Sequence, residues 1–399
     1  MNHLTRSDTT APEAIQNGPV QRARKLQPAI EAAAGEIERT QRLPEALLAQ
    51  LHQARLFRML LARSLGGDQI EPWTYLRVIE EIARADASVG WNMFVANSAA
   101  LIAVFLEPET AKTIFADPGA IIAWGPPNAS QAKAIPGGYR VSGGWSFASG
   151  CRAATWLGAH CQVIEPDGGL RLNHLGRPAI RTLLFPAGQA VLEASWNTIG
   201  LRGTASDSYA LTDVFVPEAF SSTREDPSLR RDPGRLYAFP MQGIYAVGVS
   251  GVAIGIARAM LEAFRELAGS KVPRGLQRLA DNAVVQADYA RNEAKLGAAQ
   301  AYLSQSLQEI WGRVEGMEII AIADRARVRL ACAHAILTAT EVADYAYKAA
   351  GTDAIVPGSP FERRFRDIHT VVQQIQGRSA HFEAVGQVLF GRIPETGFL

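Results

Sequence analysis

Residues 138–161 read GYRVSGGWSFASGCRAATWLGAHC, and the rest of the chain is organised around this stretch. Four large apolar side chains alternate with polar or small residues, which predicts a β-strand: Tyr139, Val141, Trp145 and Phe147. A second strand is predicted over residues 154–163. Between the two strands, Ser149 lies in a corner between a large ring and a glycine. This corner suits contact with a flat aromatic ligand, and it equally fits a hairpin corner with two buried rings.

Length and composition limit the classes of protein to consider. A chain of 399 residues exceeds one ordinary core, so two or three domains are expected. With 48% hydrophobic and 20% charged residues the composition is globular, and a net charge of +1 gives no electrostatic footprint for nucleic acid or an anionic membrane. The three cysteines are widely spaced, and the seven histidines lack metal-ligand spacing. No secretory signal or membrane span is evident, so a cytoplasmic protein is expected. The histidine spacing predicts no metal site.

The chain divides into four parts by pattern. Residues 1–18 are expected to be a disordered lead-in, residues 19–117 a helical domain, residues 118–225 a β domain, and residues 226–399 a four-helix bundle. The predicted fold class is therefore α+β and multidomain, with a small barrel or sandwich in the middle. A doubly wound parallel sheet is excluded, because it needs strands and helices to alternate.

Two helices of this plan bear on function. The fourth is predicted to begin after Asp86 or Ser88 and to run to Phe105, and it is apolar almost all round, so it should be central. Its one conspicuous polar side chain is Asn97. The last helix is predicted from about residue 365 towards residue 390.

Five segments in this order resemble the acyl-CoA dehydrogenase superfamily over residues 25–395. They are Arg42-Leu43-Pro44 with Leu65-Gly66-Gly67, Asp86-Ala87-Ser88-Val89-Gly90-Trp91, Trp145-Ser146-Phe147-Ala148-Ser149-Gly150, Trp196 to Ser206 with Asp213 to Pro217, and Arg364-Phe365-Arg366-Asp367-Ile368-His369-Thr370. Within the superfamily the chain looks most like the oxygenase components of two-component flavin-dependent monooxygenases.

That resemblance implies an activity and a set of partners. Such enzymes take reduced flavin (FMN or FAD) from a separate flavin reductase, form a flavin C4a-hydroperoxide with O2, and oxygenate a small aromatic or heteroaromatic substrate. The resemblance also implies a homo-oligomer, usually a tetramer. Two alternatives stay open: an acyl-CoA dehydrogenase-like FAD oxidoreductase, and a flavin-binding or structural protein without catalysis.

The resemblance also implies a flavin site. Ser149 matches the position that faces the N5 and C4a edge of the flavin, and Thr204 and Ser206 match flavin-edge hydroxyls, although a turn rich in such residues reads the same way. Trp145 and Phe147 become ring-side walls, unless they are plain core.

Further residues are implied around this site. Trp124 and Asn128 fall where the backbone approaches the pyrimidine side of the flavin. Arg274 matches a residue that reaches the cofactor of a neighbouring subunit, although a solvated loop arginine is an equal reading. The substrate pocket is expected to be lined by Trp91 and Phe94 together with Phe147.

The chain departs from the monooxygenase pattern at its expected bases. Members of that branch often carry a histidine late in the fourth helix, where this chain offers Asn97, and another in the last helix, where it has Gln374. His369 is the remaining candidate, since neutral imidazole suits proton transfer near neutral pH, unless it is merely packed at the helix start. Residues 373–377 contain no carboxylate, which argues against acyl-CoA dehydrogenation.

Overall fold

The computed structural model describes residues 18–173, 176–224, 226–394 and 399. Almost all of the lead-in predicted for residues 1–18 lies outside the described residues. Helices occupy both ends of the described chain and strands its middle, which confirms the predicted order.

Among the described residues, five helices precede the sheet: α1 (Pro19–Thr40), α2 (Glu45–Gln53), α3 (Pro72–Ala85), α4 (Ala87–Ala100) and α5 (Pro108–Phe115). Helix α4 begins as predicted, because the Asp86 carboxylate accepts a hydrogen bond from the backbone N–H of Val89 at 3.1 Å. Every residue of α4 is buried, and a 3-10 turn (Leu101–Phe105) continues it. A helix buried on all sides is a core element, so α4 is central as predicted.

Asn97 ties α4 to the segment between α2 and α3. Its Nδ2 donates to the carbonyl oxygens of Leu56 (2.8 Å) and Met93 (2.9 Å), and its Oδ1 accepts from the backbone N–H groups of Met59 (2.9 Å) and Leu60 (3.3 Å). The side chain is fully buried, and these four bonds use its whole hydrogen-bonding capacity. The structure therefore assigns Asn97 to a structural clamp, which contradicts its predicted catalytic role.

The middle of the described chain contains eight strands: β1 (Ile122–Ala123), β2 (Gln131–Ile135), β3 (Gly138–Ala148), β4 (Trp156–Ile164), β5 (Ile180–Pro186), β6 (Val191–Glu193), β7 (Asp207–Pro217) and β8 (Ser221–Ser222). They form one mixed sheet in the order β6-β7-β3-β2-β4-β5-β8, and β1 pairs with β4. Strand β4 runs parallel to β1 and β2 and antiparallel to β5. The strand pattern alone left open how these strands close into a domain.

Strand β3 changes its register against β7 between Trp145 and Ala148. Phe147 lies within this bulge and has a φ of +60°. A bulge shifts the alternation of side chains, so residues beyond it take the opposite face from the one expected. Trp145 and Ala148 are therefore buried in the core of the β domain, whereas the Phe147 side chain is 65% exposed.

Five further helices follow among the described residues: α6 (Met241–Ser270), α7 (Ala283–Trp311), α8 (Ile322–Ala350), α9 (Glu362–Val371) and α10 (Ala380–Leu389). The single last helix predicted over residues 365–390 is wrong. Gln374 is extended (φ −66°, ψ 146°), and a 3-10 turn (Ile375–Gly377) separates α9 from α10. Gly377 packs so closely that a Cβ there would lie 2.6 Å from the carbonyl oxygen of Val372.

Within the part of the chain that the structure describes, two segments have the length and apolar composition of a membrane span: residues 87–105 and α6. Both are almost entirely buried inside the protein. Helix α6 packs against α3, α4 and α8, so these segments join the N-terminal helices to the C-terminal bundle. Their apolar character is explained by that burial.

Gly200 lies where the loop before β7 meets α9. A Cβ at this position would lie 2.2 Å from the backbone oxygen of Arg366, and backbone cannot yield as a flexible side chain can. We therefore expect Gly200→Ala to lower the free energy of unfolding by about 1–3 kcal/mol, measured by urea titration. The matched control is Gly297→Ala in α7, where nothing lies within 4 Å, and it should raise stability by about 1 kcal/mol. Equal loss in both variants would contradict this account.

Candidate active site

Three hydroxyl groups from two distant segments of the chain meet close to the end of β3. Ser149 Oγ lies 2.7 Å from Ser206 Oγ, and Ser206 Oγ lies 2.7 Å from Thr204 Oγ1. All three residues are buried. Ser149 follows the end of β3, and the other two lie in the loop that enters β7, so the pairing of β3 with β7 brings them together. We call these three residues the hydroxyl chain.

The donors and acceptors of the hydroxyl chain can be assigned. Thr204 donates its one hydrogen to the carbonyl oxygen of Leu201 at 2.8 Å, so Ser206 must donate to Thr204. Ser149 must then donate to Ser206, because the hydrogen of Ser206 is already used. Trp91 donates its indole N–H to Ser149 Oγ at 3.0 Å. Ser149 is left with one free lone pair, so it can only accept from a further group.

Trp91 supports this site from α4. It is buried, and its ring meets that of Phe94 edge-on with centroids 4.8 Å apart. Phe94 is fully buried and meets Tyr245 edge-on at 5.0 Å. Trp91 was predicted to line the substrate pocket. In the structure it donates a hydrogen bond to Ser149. Phe94 belongs to the core behind it, since its ring has no surface left for a ligand.

Phe147 presents its ring on the surface, and its backbone carbonyl oxygen accepts a hydrogen bond from the backbone N–H of Ser149 at 3.0 Å. The ring of Trp196 stands edge-on to it with centroids 6.0 Å apart, and Ile199 in the same loop is also exposed. Trp145, predicted as a second wall, instead stacks on Tyr209 in the core and donates its indole N–H to the His160 carbonyl oxygen at 3.2 Å. Its burial contradicts the predicted contact with a ligand.

These features fit a flavin. Its isoalloxazine ring system is flat and largely apolar on its faces, and it carries nitrogen and oxygen atoms along one edge. An exposed phenyl ring beside a buried hydroxyl with a free lone pair matches both properties. The left-handed backbone of Phe147 supports this assignment, because strained conformations of that kind cluster at ligand sites.

No described contact joins three of the predicted cofactor residues to the hydroxyl chain, and their roles remain predictions. Trp124 is half-buried, stands edge-on to His160, and has the guanidinium of Arg224 5.0 Å above its ring. Asn128 is exposed and donates to the Gly144 carbonyl oxygen at 2.8 Å. Arg274 is exposed in the loop between α6 and α7.

The two catalytic candidates that were predicted in the last helix, His369 and Gln374, are bound to protein groups. His369 Nε2 lies 2.9 Å from the Asp344 carboxylate on α8, and its ring meets Phe365 edge-on. Gln374 accepts a hydrogen bond from the backbone N–H of Gln376 at 2.7 Å, which starts the 3-10 turn. No described contact joins either residue to the hydroxyl chain, so their catalytic roles remain predictions.

Asp367 anchors the loop that carries Thr204 and Ser206. It is buried on α9, and its Oδ1 accepts from the backbone N–H of Leu201 at 2.6 Å. Leu201 has a φ of +51°, a conformation that this bond helps to hold. Burial raises the pKa of Asp367 to about 7, and the nearby Asp86 carboxylate adds to the rise.

We expect Asp367→Asn to flatten the pH dependence of stability. Between about pH 4 and pH 7 the folded wild type holds a proton that the unfolded chain has released, so its stability falls as the pH rises through this window. Asparagine cannot ionise, and its oxygen can still accept from Leu201. The variant should therefore gain about 2–4 kcal/mol relative to wild type across the window, measured by urea unfolding at several pH values. Asp213→Asn, at an exposed carboxylate, is the control, and parallel curves for all three proteins would show that Asp367 is not the titrating group.

Sequence reasoning missed two residues of this site. Trp196 and Asp367 both lie in segments that resemble the family, yet neither was assigned a role. The signal for Asp367 was a carboxylate with apolar neighbours inside an arginine-rich helix start. The signal for Trp196 was weak, since a lone tryptophan in a loop is as often packed as functional.

Comparisons with known proteins identify relatives of this chain. Residues 21–114 match the acyl-CoA dehydrogenase N-terminal domain, and residues 247–377 match its C-terminal domain. The chain is 30% identical over 373 residues to an indole-3-acetate monooxygenase from Acinetobacter baumannii, across 92% of each protein. It is 28% identical over 410 positions to the oxygenase component of an FADH(2)-dependent resorcinol hydroxylase from Rhizobium sp., across 98% and 96% of the two.

A solved structure shows the same fold. XiaF from Streptomyces sp., determined in complex with FADH2 and glycerol, superposes with a TM-score of 0.85 at 24% identity, covering 94% of this chain and 96% of that one. The two family domains flank the mixed sheet in sequence, and the relatives align over nearly the full length. The chain therefore belongs to the acyl-CoA dehydrogenase family and, within it, to the oxygenase components of flavin-dependent monooxygenases.

Proposed function

We propose that this protein takes reduced flavin from a separate reductase and, with O2, oxygenates a small aromatic substrate beside Phe147 and the hydroxyl chain. The observation that carries the proposal is the free lone pair of Ser149 next to an exposed ring. The relatives support it, because one is named for an indole acid and another for a dihydroxybenzene. Bound reduced flavin supplies the electrons that activate O2.

In this proposal the protein's own residues bind the flavin and fix its orientation. The exposed side chains of Phe147 and Ile199 would hold the flat ring of the cofactor, and Ser149 would accept a hydrogen bond from an N–H group on its edge. Trp91 holds Ser149 from the core side, so the serine hydroxyl keeps one orientation. Asp367 fixes the loop that completes the hydroxyl chain.

One observation favours an oxygenase over the dehydrogenase alternative. The 3-10 turn between α9 and α10 contains Gln376, which is fully buried, where a dehydrogenase would need a carboxylate to remove a proton from its substrate. An amide cannot act as a base at neutral pH. The described residues of this turn offer no replacement.

The proposal is tested by turnover with supplied reduced flavin. The protein is mixed with reduced FMN or reduced FAD, air and indole-3-acetate, and the product is analysed by mass spectrometry after reaction with isotopically labelled O2. Incorporation of one labelled oxygen atom is expected, and the better of the two flavins identifies the cofactor. Loss of flavin colour on addition of an acyl-CoA, without any oxygenated product, would instead establish the dehydrogenase alternative.

A homo-oligomer is part of the proposal, with a tetramer as the expected form. Large apolar side chains at the end of α10 and just beyond it are almost fully exposed in the single chain: Leu389, Phe390 and Ile393. Such a surface is typical of contacts between subunits. Light scattering of the purified protein measures the assembly directly, and a monomeric mass would contradict this part of the proposal.

A further inference from the structure

Asn92, on α4, is a buried asparagine whose side-chain oxygen is unused. The residue is 7% exposed, and its Nδ2 donates a hydrogen bond to the backbone carbonyl oxygen of Gly203 at 3.1 Å. That bond fixes which way the amide faces, because a reversed amide would place its oxygen against the carbonyl oxygen of Gly203. No donor among the described residues reaches Oδ1. A buried acceptor without a donor is costly, so its presence calls for an explanation.

The same helix shows how this fold treats a structural asparagine. Asn97, further along α4, uses both hydrogens and both lone pairs of its amide in the four bonds described above. Asn92 makes its one bond through Nδ2, and its oxygen makes none with the described residues. This difference identifies Oδ1 of Asn92 as an acceptor that is available to a group outside the described chain.

The free oxygen faces the corner that follows β3. Gly150, in this corner, has a φ of +79°, and it is half-buried. A Cβ at Gly150 would lie 3.5 Å from Oδ1 of Asn92 and 3.9 Å from its Cγ. Apart from the chain neighbours of Gly150, no other described atom would lie within 4 Å of that Cβ. The missing side chain of Gly150 therefore leaves room beside Oδ1 for a donor group.

Asn92 lies beside the hydroxyl chain. Trp91, the residue before it, donates to Ser149. Asn92 itself lies between Gly150, which follows Ser149, and Gly203, in the loop that carries the rest of the hydroxyl chain. The candidate site thus contains two free acceptors close together, the outward lone pair of Ser149 and Oδ1 of Asn92. Two acceptors suit an occupant whose edge carries N–H groups.

We propose that Oδ1 of Asn92 accepts a hydrogen bond from an N–H group of reduced flavin and favours this form of the cofactor over the oxidised form. This inference rests on the proposed function, and it adds a second binding residue to Ser149. Reduction places hydrogens on ring nitrogens that carry lone pairs in oxidised flavin. A buried acceptor therefore attracts the reduced ring and repels the oxidised ring. Because the bond to Gly203 holds the amide, the acceptor is oriented before the flavin binds.

Anaerobic binding of flavin to the full-length protein tests the proposal. Reduced and oxidised FMN and FAD are titrated calorimetrically against wild type and Asn92→Leu, which keeps the bulk and removes the acceptor, and indole-3-acetate is titrated in parallel. The variant should bind reduced flavin about 3- to 10-fold more weakly and oxidised flavin within about twofold of wild type. The matched control is Asn292→Leu. Asn292 is a buried asparagine on α7 that donates to the carbonyl oxygen of Asp288, and its variant should bind both forms like wild type.

A second variant leaves the amide of Asn92 intact. Gly150→Ala would place a methyl group 3.5 Å from Oδ1, in the space that the proposal gives to the flavin donor. It should weaken binding of reduced flavin by a similar factor, with some loss of stability, because alanine is strained at a φ of +79°. The double variant should bind no more weakly than the weaker of the two single variants, since both changes remove the same contact. Losses that multiply in the double variant would contradict the proposal.

Other results would also overturn the proposal. They are an Asn92→Leu protein that binds both forms of flavin as the wild type does, one that loses both forms equally, which would assign Asn92 to support of the loop at Gly203, and one that loses only indole-3-acetate, which would assign Oδ1 to the substrate. A wild type that binds no reduced flavin would overturn this inference and the proposed function together. A wild type that binds reduced flavin, responds to the variants as expected and oxygenates nothing would overturn the proposed function alone.

Discussion

Ser149→Ala is expected to lower the yield of oxygenated product per reduced flavin consumed by about tenfold or more. The change removes the acceptor for an edge N–H of the cofactor. It also leaves the indole N–H of Trp91 and the hydroxyl of Ser206 without their partner. With the cofactor held less firmly, the electrons of reduced flavin would yield more hydrogen peroxide and less oxygenated product.

The measurement is the ratio of oxygenated product to hydrogen peroxide in single-turnover mixing with reduced flavin. The control is Ser142→Ala, which removes an exposed hydroxyl from the same strand, where it accepts only from the backbone N–H of Asp213. Circular dichroism should show both variants folded. A Ser149→Ala protein with the wild-type ratio would remove Ser149 from the site.

Asn97→Ala is expected to lower the free energy of unfolding by about 3–5 kcal/mol. The buried N–H groups of Met59 and Leu60 and the carbonyl oxygen of Leu56 would lose their partner, and a cavity would open beside α4. The loss is therefore one of stability, because the amide has no free group for a ligand.

Urea unfolding measures this loss, and turnover at low temperature separates it from catalysis. Asn128→Ala, at an exposed asparagine with two local bonds, should cost less than about 1 kcal/mol. Activity per folded Asn97→Ala molecule should stay close to that of the wild type. A stable Asn97→Ala protein with little activity would contradict this account and support the predicted catalytic role of Asn97.

Local signals in the sequence predicted the parts of the fold that depend on neighbours along the chain. The Asp86 cap and the apolar character of α4 were readable because capping and burial leave a pattern within one helix. The break between α9 and α10 was not readable. Residues 372–379 contain no proline, and the turn depends on the packing of Gly377 against Val372 and on the Gln374 cap.

In the candidate site too, the features that depend on contacts between distant residues could not be predicted from local sequence patterns. The meeting of Ser149 with Thr204 and Ser206 came from family resemblance, since no spacing links residues more than fifty positions apart. Alternation placed Trp145 and Phe147 on one face, and the bulge in β3 separated them. A single inserted residue moves the side chains that follow it to the opposite face of the strand. The alternation of apolar and polar residues in the sequence shows little sign of this change.

The three hydroxyl groups all donate their hydrogens in the same direction along the hydroxyl chain. This order lets the site distinguish reduced from oxidised flavin. Every hydrogen of the three hydroxyls points toward the Leu201 carbonyl oxygen, so Ser149 turns only a lone pair outward. A reduced ring nitrogen carries a hydrogen and is attracted to that lone pair. An oxidised ring nitrogen carries a lone pair of its own and is repelled. The same three side chains would thus favour the binding of reduced flavin and the release of oxidised flavin. This preference suits a protein that takes up reduced flavin anew for each turnover.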